Sequence, residues 1–204
     1  MEEAYDYFRI LQTSAARSAG AVKKMHCGFL TFSQGGLAAQ LQGLADDIHA
    51  ARESETVLLQ HLHRAFITPI DRMDLYNVFE STLSLTAAAA DAAQILYLCN
   101  IASMRREAVI LSEKISTSGR TLQILTDCFV RRRRDSGYWE QKVQTETALS
   151  ESREAYHRCI RTLFLYGTGS ETARWNRVYS EMEKCLHACE NLKDRMTAAV
   201  LNNA

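Results

Sequence analysis

Residues 175–199, WNRVYSEMEKCLHACENLKDRMTAA, carry apolar side chains at Trp175, Val178, Met182, Cys185, Cys189, Leu192, Met196 and Ala199, in alternating steps of three and four. A chain turning once every 3.6 residues gathers all of these on one stripe, whereas a strand would scatter them over two faces. The same rhythm runs through Leu37, Leu41, Leu44, Ile48, Ala51, Glu55, Leu58 and Leu62. It returns in Ile101, Met104, Ala108, Leu111, Ile115, Ser118, Leu122, Leu125 and Phe129. A looser version joins Tyr5, Phe8, Ala15, Val22 and Phe29, with Gln12 and His26 on the same line. Stripes of this length predict extended helices packed side by side at shallow angles.

Composition points the same way. One Pro and nine Gly in 204 residues are too few for the turn that a sandwich or barrel needs every ten or so residues. Hydrophobic residues at 47% and charged residues at 24% are the proportions of a globular chain with a sizeable core. Lys+Arg and Asp+Glu balance at 24 each, which argues against a sequence-independent nucleic-acid binder and against an acidic tail. The longest purely apolar runs, 87–90 and 95–99, fall far short of the roughly 20 residues that span a bilayer. The opening Met-Glu-Glu-Ala-Tyr-Asp is acidic where a signal peptide is basic, so a cytoplasmic location is expected. The six cysteines include no CxxC pair, and in a reducing compartment they read as small buried hydrophobes.

The breaks divide the chain into six helices. Gly35 and Gly36 end the first, and Phe66-Ile67-Thr68-Pro69-Ile70-Asp71 ends the second, since a residue before Pro leaves the helical region. Asp71 is placed to cap the third helix, with Asp74 completing a carboxylate version of a capping box. Residues 71–118 contain neither Gly nor Pro, and a single helix there would run about 70 Å, so a turn is expected near residues 99–106. Asp135-Ser136-Gly137 closes the fourth helix, and Tyr166-Gly167-Thr168-Gly169-Ser170 separates the fifth from the sixth. His63-Arg64-Ala65-Phe66 followed by the third helix is echoed by Arg161-Thr162-Leu163-Phe164 followed by the sixth. The expected architecture is therefore all-α, with six long antiparallel helices forming one domain, 1–204. Within it two three-helix bundles repeat, covering about 1–100 and 101–204.

The string FITPIDRMDL at residues 66–75 resembles the FITPxDRxDI hallmark of a PhoU-like family of proposed phosphate transport regulators. The likeness extends in order and spacing from Leu62 into the third helix, and from Tyr156 through Leu163, Phe164, Trp175, Tyr179 and Glu183 to Cys189 and Glu190. It implies two pseudo-repeated three-helix bundles, no catalytic activity, and an accessory or regulatory role exercised by binding a phosphate permease of the inner membrane. PhoU-like proteins bind multinuclear metal clusters through E/D-x-x-x-D motifs, whose spacing sets two carboxylates on one helix face. Anchored on the FITP string, those positions fall here on Ile48 and Arg52, on Leu83 and Ala87, on Leu149 and Arg153, and on Glu183 and His187. A gap would move the first pair towards Asp46 or Asp47. Only Glu183 and His187 remain as metal ligands for a divalent or ferric ion. Arg52 and Arg153 are left to bind an anion or to lock helices together through Glu55, Glu151 or Glu154.

Other candidates weigh less. Cys185 and His187 point about 200° apart on a helix and cannot share an ion, so packing is the favoured reading of the cysteines. Arg131, Arg132, Arg133 and Arg134 end the fourth helix, where cations suit the dipole, and beyond that they are candidates for a partner, anion or anionic-lipid contact at the membrane's inner face. Glu55 sits on an apolar stripe and needs a partner, with Arg52 or an arginine of the fifth helix expected. No Ser/His/Asp constellation, glycine-rich phosphate loop or HExxH stands out, so an enzyme is the minority reading. The main alternative is a metal-storing or metal-sensing helical bundle with a reduced site at Glu183 and His187. Self-association into a homo-oligomer is expected from the long helices with Trp139, Trp175 and several tyrosines.

Overall fold

The computed structural model describes residues 5–33, 35–131 and 137–203. Six α-helices follow one another: α1 Tyr7–Leu30, α2 Leu37–Arg64, α3 Arg72–Leu98, α4 Arg106–Arg131, α5 Gly137–Tyr166 and α6 Gly169–Asn202. No strand occurs among the described residues. Each of α1, α2 and α3 packs on the other two, as do α4, α5 and α6, and the two sets meet through α1 on α4 and α3 on α6. A hydrogen bond from Gln12 Nε2 to Asp127 Oδ1 at 2.7 Å sets the start of α1 beside the end of α4. Tyr7 Oη donates to the His61 carbonyl at 3.3 Å, and Asn203 Nδ2 donates to Asp74 at 2.7 Å. Tyr138 and Thr197 hydroxyls meet at 3.3 Å. One end of the bundle therefore collects the starts of α1, α3 and α5 and the ends of α2, α4 and α6.

Burial follows the stripes. Every member of the α6 stripe is buried, from Trp175 to Ala199, and so is the α4 stripe from Ala108 to Phe129. In α1 the pattern is broader than one stripe: Phe8, like Tyr5 just before the helix, is half-buried, while Leu11, Ser14, Ser18, Ala21 and Met25 are buried. The reason is that α1 packs against three helices, α2, α3 and α4, and must be apolar or small on more than one face. Ala89, Ala92 and Ala93 do the same for the central α3, being fully buried and small enough to let neighbours approach.

Helix ends are set locally. Asp71 caps α3, its Oδ1 accepting from Met73 N at 2.8 Å and Asp74 N at 3.2 Å. Asp74 does not close a reciprocal box, however. Its carboxylate accepts from Asn202 and Asn203, and the Asp71 N–H goes to Asn203 Oδ1 at 2.9 Å. The expected capping box is thus replaced by a tie from α3 to the end of α6. The turn expected near residues 99–106 is present and uses no glycine. Asn100 takes the left-handed conformation with φ 48°, Ile101 N donates to Leu96 O at 3.0 Å, and Asn100 N donates to Tyr97 O at 2.9 Å. This is the Schellman stop, with buried Ile101 as its hydrophobic anchor. After α5, Gly167 is required because a Cβ there would fall onto the Leu163 carbonyl and the Thr172 hydroxyl.

Candidate functional site

The residue types singled out for cation or anion chemistry converge between α5 and α6. Arg153 lies on α5 beside buried Ser152 and Ala155, and its guanidinium crosses to three side chains of α6. Nη1 donates to Glu183 Oε1 at 3.3 Å, Nη2 donates to the two Glu190 oxygens at 2.7 and 2.6 Å, and Nη2 stands 3.4 Å from His187 Nδ1. Glu183, His187 and Glu190 share one face because they are spaced i, i+4, i+7. His187 bridges the carboxylates, with Nε2 3.8 Å from Glu183 Oε1 and Nδ1 3.2 Å from Glu190 Oε2. The second oxygen of Glu183 accepts from the Tyr156 hydroxyl at 2.8 Å. Burial, and then this hydrogen bond to a negative partner, push the Tyr156 phenol up to about 12.

Glu183 and His187 are therefore brought together, with a second carboxylate, Glu190, that spacing alone did not single out. They do not converge on a common point: Arg153 stands among them. Among the described residues no group of three or more His, Cys, Asp or Glu is arranged to hold a metal ion. Arg153 does lock two helices, but through Glu183 and Glu190 of α6 and not through Glu55, Glu151 or Glu154. Glu151 is held by Lys114 of α4 at 2.8 Å, and Glu154 pairs with Arg158 on its own helix. Glu55 lies near the Tyr76 phenol of α3, which burial and then this carboxylate push up, and among the described residues it forms no ion pair with an arginine. Arg52 is exposed on α2. Asp47 is engaged by Lys24 at 2.7 Å, and Asp46 accepts from Gln42 at 2.9 Å. Nearby on α5 and α6, Glu146 is held by Lys142 at 2.5 Å and by Lys193 at 3.7 Å. On this face Arg153 serves both Glu183 and Glu190, and Lys142 and Lys193 share Glu146.

Three of the six cysteines belong to the core, whereas Cys27 is exposed and Cys99 and Cys128 are half-buried, against the expectation that all six pack inside. Cys159, Cys185 and Cys189 are buried, and burial raises the Cys159 thiol to about 12, far from a reactive thiolate. Of the arginine run, Arg131 is exposed and donates Nε to the Asp127 carbonyl at 3.2 Å, an end-of-helix cap. Arg132, Arg133 and Arg134 lie outside the described residues. The end of the bundle that carries Arg131 also carries the FITP segment, where Phe66 is 94% and Ile67 81% exposed. Arg72 Nη2 donates to the Ala65 carbonyl and fixes the base of this segment. Among the described residues no helix is long and apolar enough to cross a membrane.

A solved structure of a PhoU-like protein from Shewanella oneidensis MR-1 superposes on this chain with a TM-score of 0.81 at 8% sequence identity, over 95% of this chain and 99% of that one. The fold is PhoU-like. A second structure from the same organism, of a proposed PhoU-like phosphate regulatory protein, gives a TM-score of 0.78 at 9% identity over 96% of this chain and 99% of that one. No protein-family model and no curated protein matches the sequence, so the PhoU-like likeness rests on the fold.

Proposed function

We propose that this chain is a non-enzymatic PhoU-like accessory or regulatory protein of phosphate transport that acts by binding a phosphate permease at the inner face of the membrane. The observation that carries the reading is the PhoU-like fold along nearly the whole chain, one of the similar structures being that of a proposed phosphate regulatory protein. The exposed FITP segment supports it. Phe29, Phe79 and Phe129 are buried, whereas Phe66 and Ile67 stand bare at one end, and apolar side chains exposed together mark a contact surface. Arg131 at the same end, continued in sequence by Arg132, Arg133 and Arg134, supplies cations for an acidic loop of the permease or for anionic lipid. The one domain, 1–204, comprises two three-helix repeats, about 1–100 and 101–204, and half-exposed Trp139 favours self-association into a homo-oligomer.

The test is a pull-down from solubilised native membranes, read by mass spectrometry, with three baits. These are the wild-type chain, a variant with Phe66→Ala and Ile67→Ala, and a variant with Arg131, Arg132, Arg133 and Arg134 changed to alanine. A phosphate permease is expected with the wild type, with recovery lowered about tenfold, or about 1.4 kcal/mol, in either variant. Recovery of no membrane protein by the wild-type chain would overturn the permease reading.

A further inference from the structure

The PhoU-like resemblance implies metal at carboxylate pairs, and the α5–α6 cleft does not fit a metal ion while Arg153 is in it. We infer that Arg153 is the resident cation of this cleft: the chain joins α5 to α6 through its own guanidinium, and the cleft takes a divalent metal ion only when that guanidinium is withdrawn. The inference stands apart from the permease reading, since it concerns what holds two helices together.

The donors are those of a borderline divalent site. Two carboxylates and an imidazole, at i, i+4 and i+7 of α6, offer two oxygens and one nitrogen, a set suited to zinc or manganese. All three surround a single positive group. Glu183 and Glu190 contact the guanidinium at 3.3 and 2.6 Å, and the imidazole of His187 is within 3.4 Å of it. A point charge would draw the same side chains onto itself. A planar guanidinium instead spreads them along its edge, which is why no three of them share one focus. An additional cation would have to enter beside a fixed positive charge, and both carboxylates already have a partner. The cleft is reachable from solvent. Arg153 and Glu190 line an open groove of about 400 Å³, and Glu183 and His187, outside that groove, keep 32% and 59% of their side chains exposed. Access therefore does not limit metal entry, and the charge of Arg153 does.

The test compares the wild-type chain with Arg153→Ala, with Arg153→Met, which keeps the apolar stem, and with Arg153→Ala carrying Glu183→Gln and Glu190→Gln. Each is titrated calorimetrically with zinc and with manganese, assayed for bound metal after dialysis, and melted with and without chelator. Expected is no stoichiometric metal on this cleft in the wild type, one ion per chain in Arg153→Ala or Arg153→Met with a metal-dependent rise in Tm, and loss of that ion in the triple variant. If the Arg153 variants fold only with metal, the dependence supports the inference. Failure of metal to restore folding overturns it. It is equally overturned if the wild type binds an ion that Glu183→Gln and Glu190→Gln remove, or if a folded Arg153 variant binds no more metal than the wild type.

Discussion

Arg153, Glu183 and Glu190 keep between a quarter and a third of their side-chain surface in water, which places their contact between two familiar limits. A fully exposed pair contributes about 0–1 kcal/mol, and breaking a buried pair costs about 3–5 kcal/mol. Screening pulls this one towards the lower figure, and the second carboxylate and the helix-to-helix span pull it up. Without metal, Arg153→Ala is expected to lose about 1–2 kcal/mol in urea unfolding. Tyr156 gives the cluster a pH signature. Its phenol is neutral, donates to Glu183, and is held above the ordinary value of 10.0 at about 12. The unfolded chain ionises first, so the stability linked to Tyr156 is intact below pH 10 and is lost as pH rises through about 12. Alkaline unfolding curves should show this slope in the wild type and a shallower one in Tyr156→Phe. An unchanged slope would mean that the phenol–carboxylate contact is not maintained.

Among the elements, α1 and α4 approach each other closely at Gly119. A Cβ there would stand 3.4 Å from Val22 Cβ and 3.7 Å from Ala19 Cα, room for a methyl group but not for a branched chain. Gly119→Leu should therefore push the two helices apart and cost about 1–3 kcal/mol, read as a lowered Tm with the helical content retained. Periodicity made these helices readable because the apolar stripes of α4 and α6 are buried along their length in the helices. It was less informative for α1, whose buried residues mix Ser14, Ser18 and alanines with the large apolar side chains. The stop after α3 showed no punctuation in the sequence because Asn100 performs the work usually given to glycine. At the candidate site, Glu183 and His187 were visible because their spacing lies within one helix. Glu190, Tyr156 and the true partners of Arg153 were not, since those contacts depend on the register of α5 against α6, a property of packing. For the same reason Glu55 came to lie near the tyrosine of a neighbouring helix.

At the scale of the whole molecule, a likeness at 8% and 9% identity shows how little of the sequence the PhoU-like fold needs. Apolar stripes, a few stops and close helix approach suffice, and the polar surface is free to diverge. Here carboxylates on the α5–α6 face are answered by Arg153, Lys142 and Lys193, while one end of the bundle presents Phe66 and Ile67. The most direct measurement is uptake of radiolabelled phosphate by native cells that lack the chain, and by the same cells supplied with the wild type or with the Phe66→Ala, Ile67→Ala variant. A changed uptake rate, restored by the wild type and not by the variant, is the expected result. Uptake indifferent to the presence of the chain would contradict a role in phosphate transport.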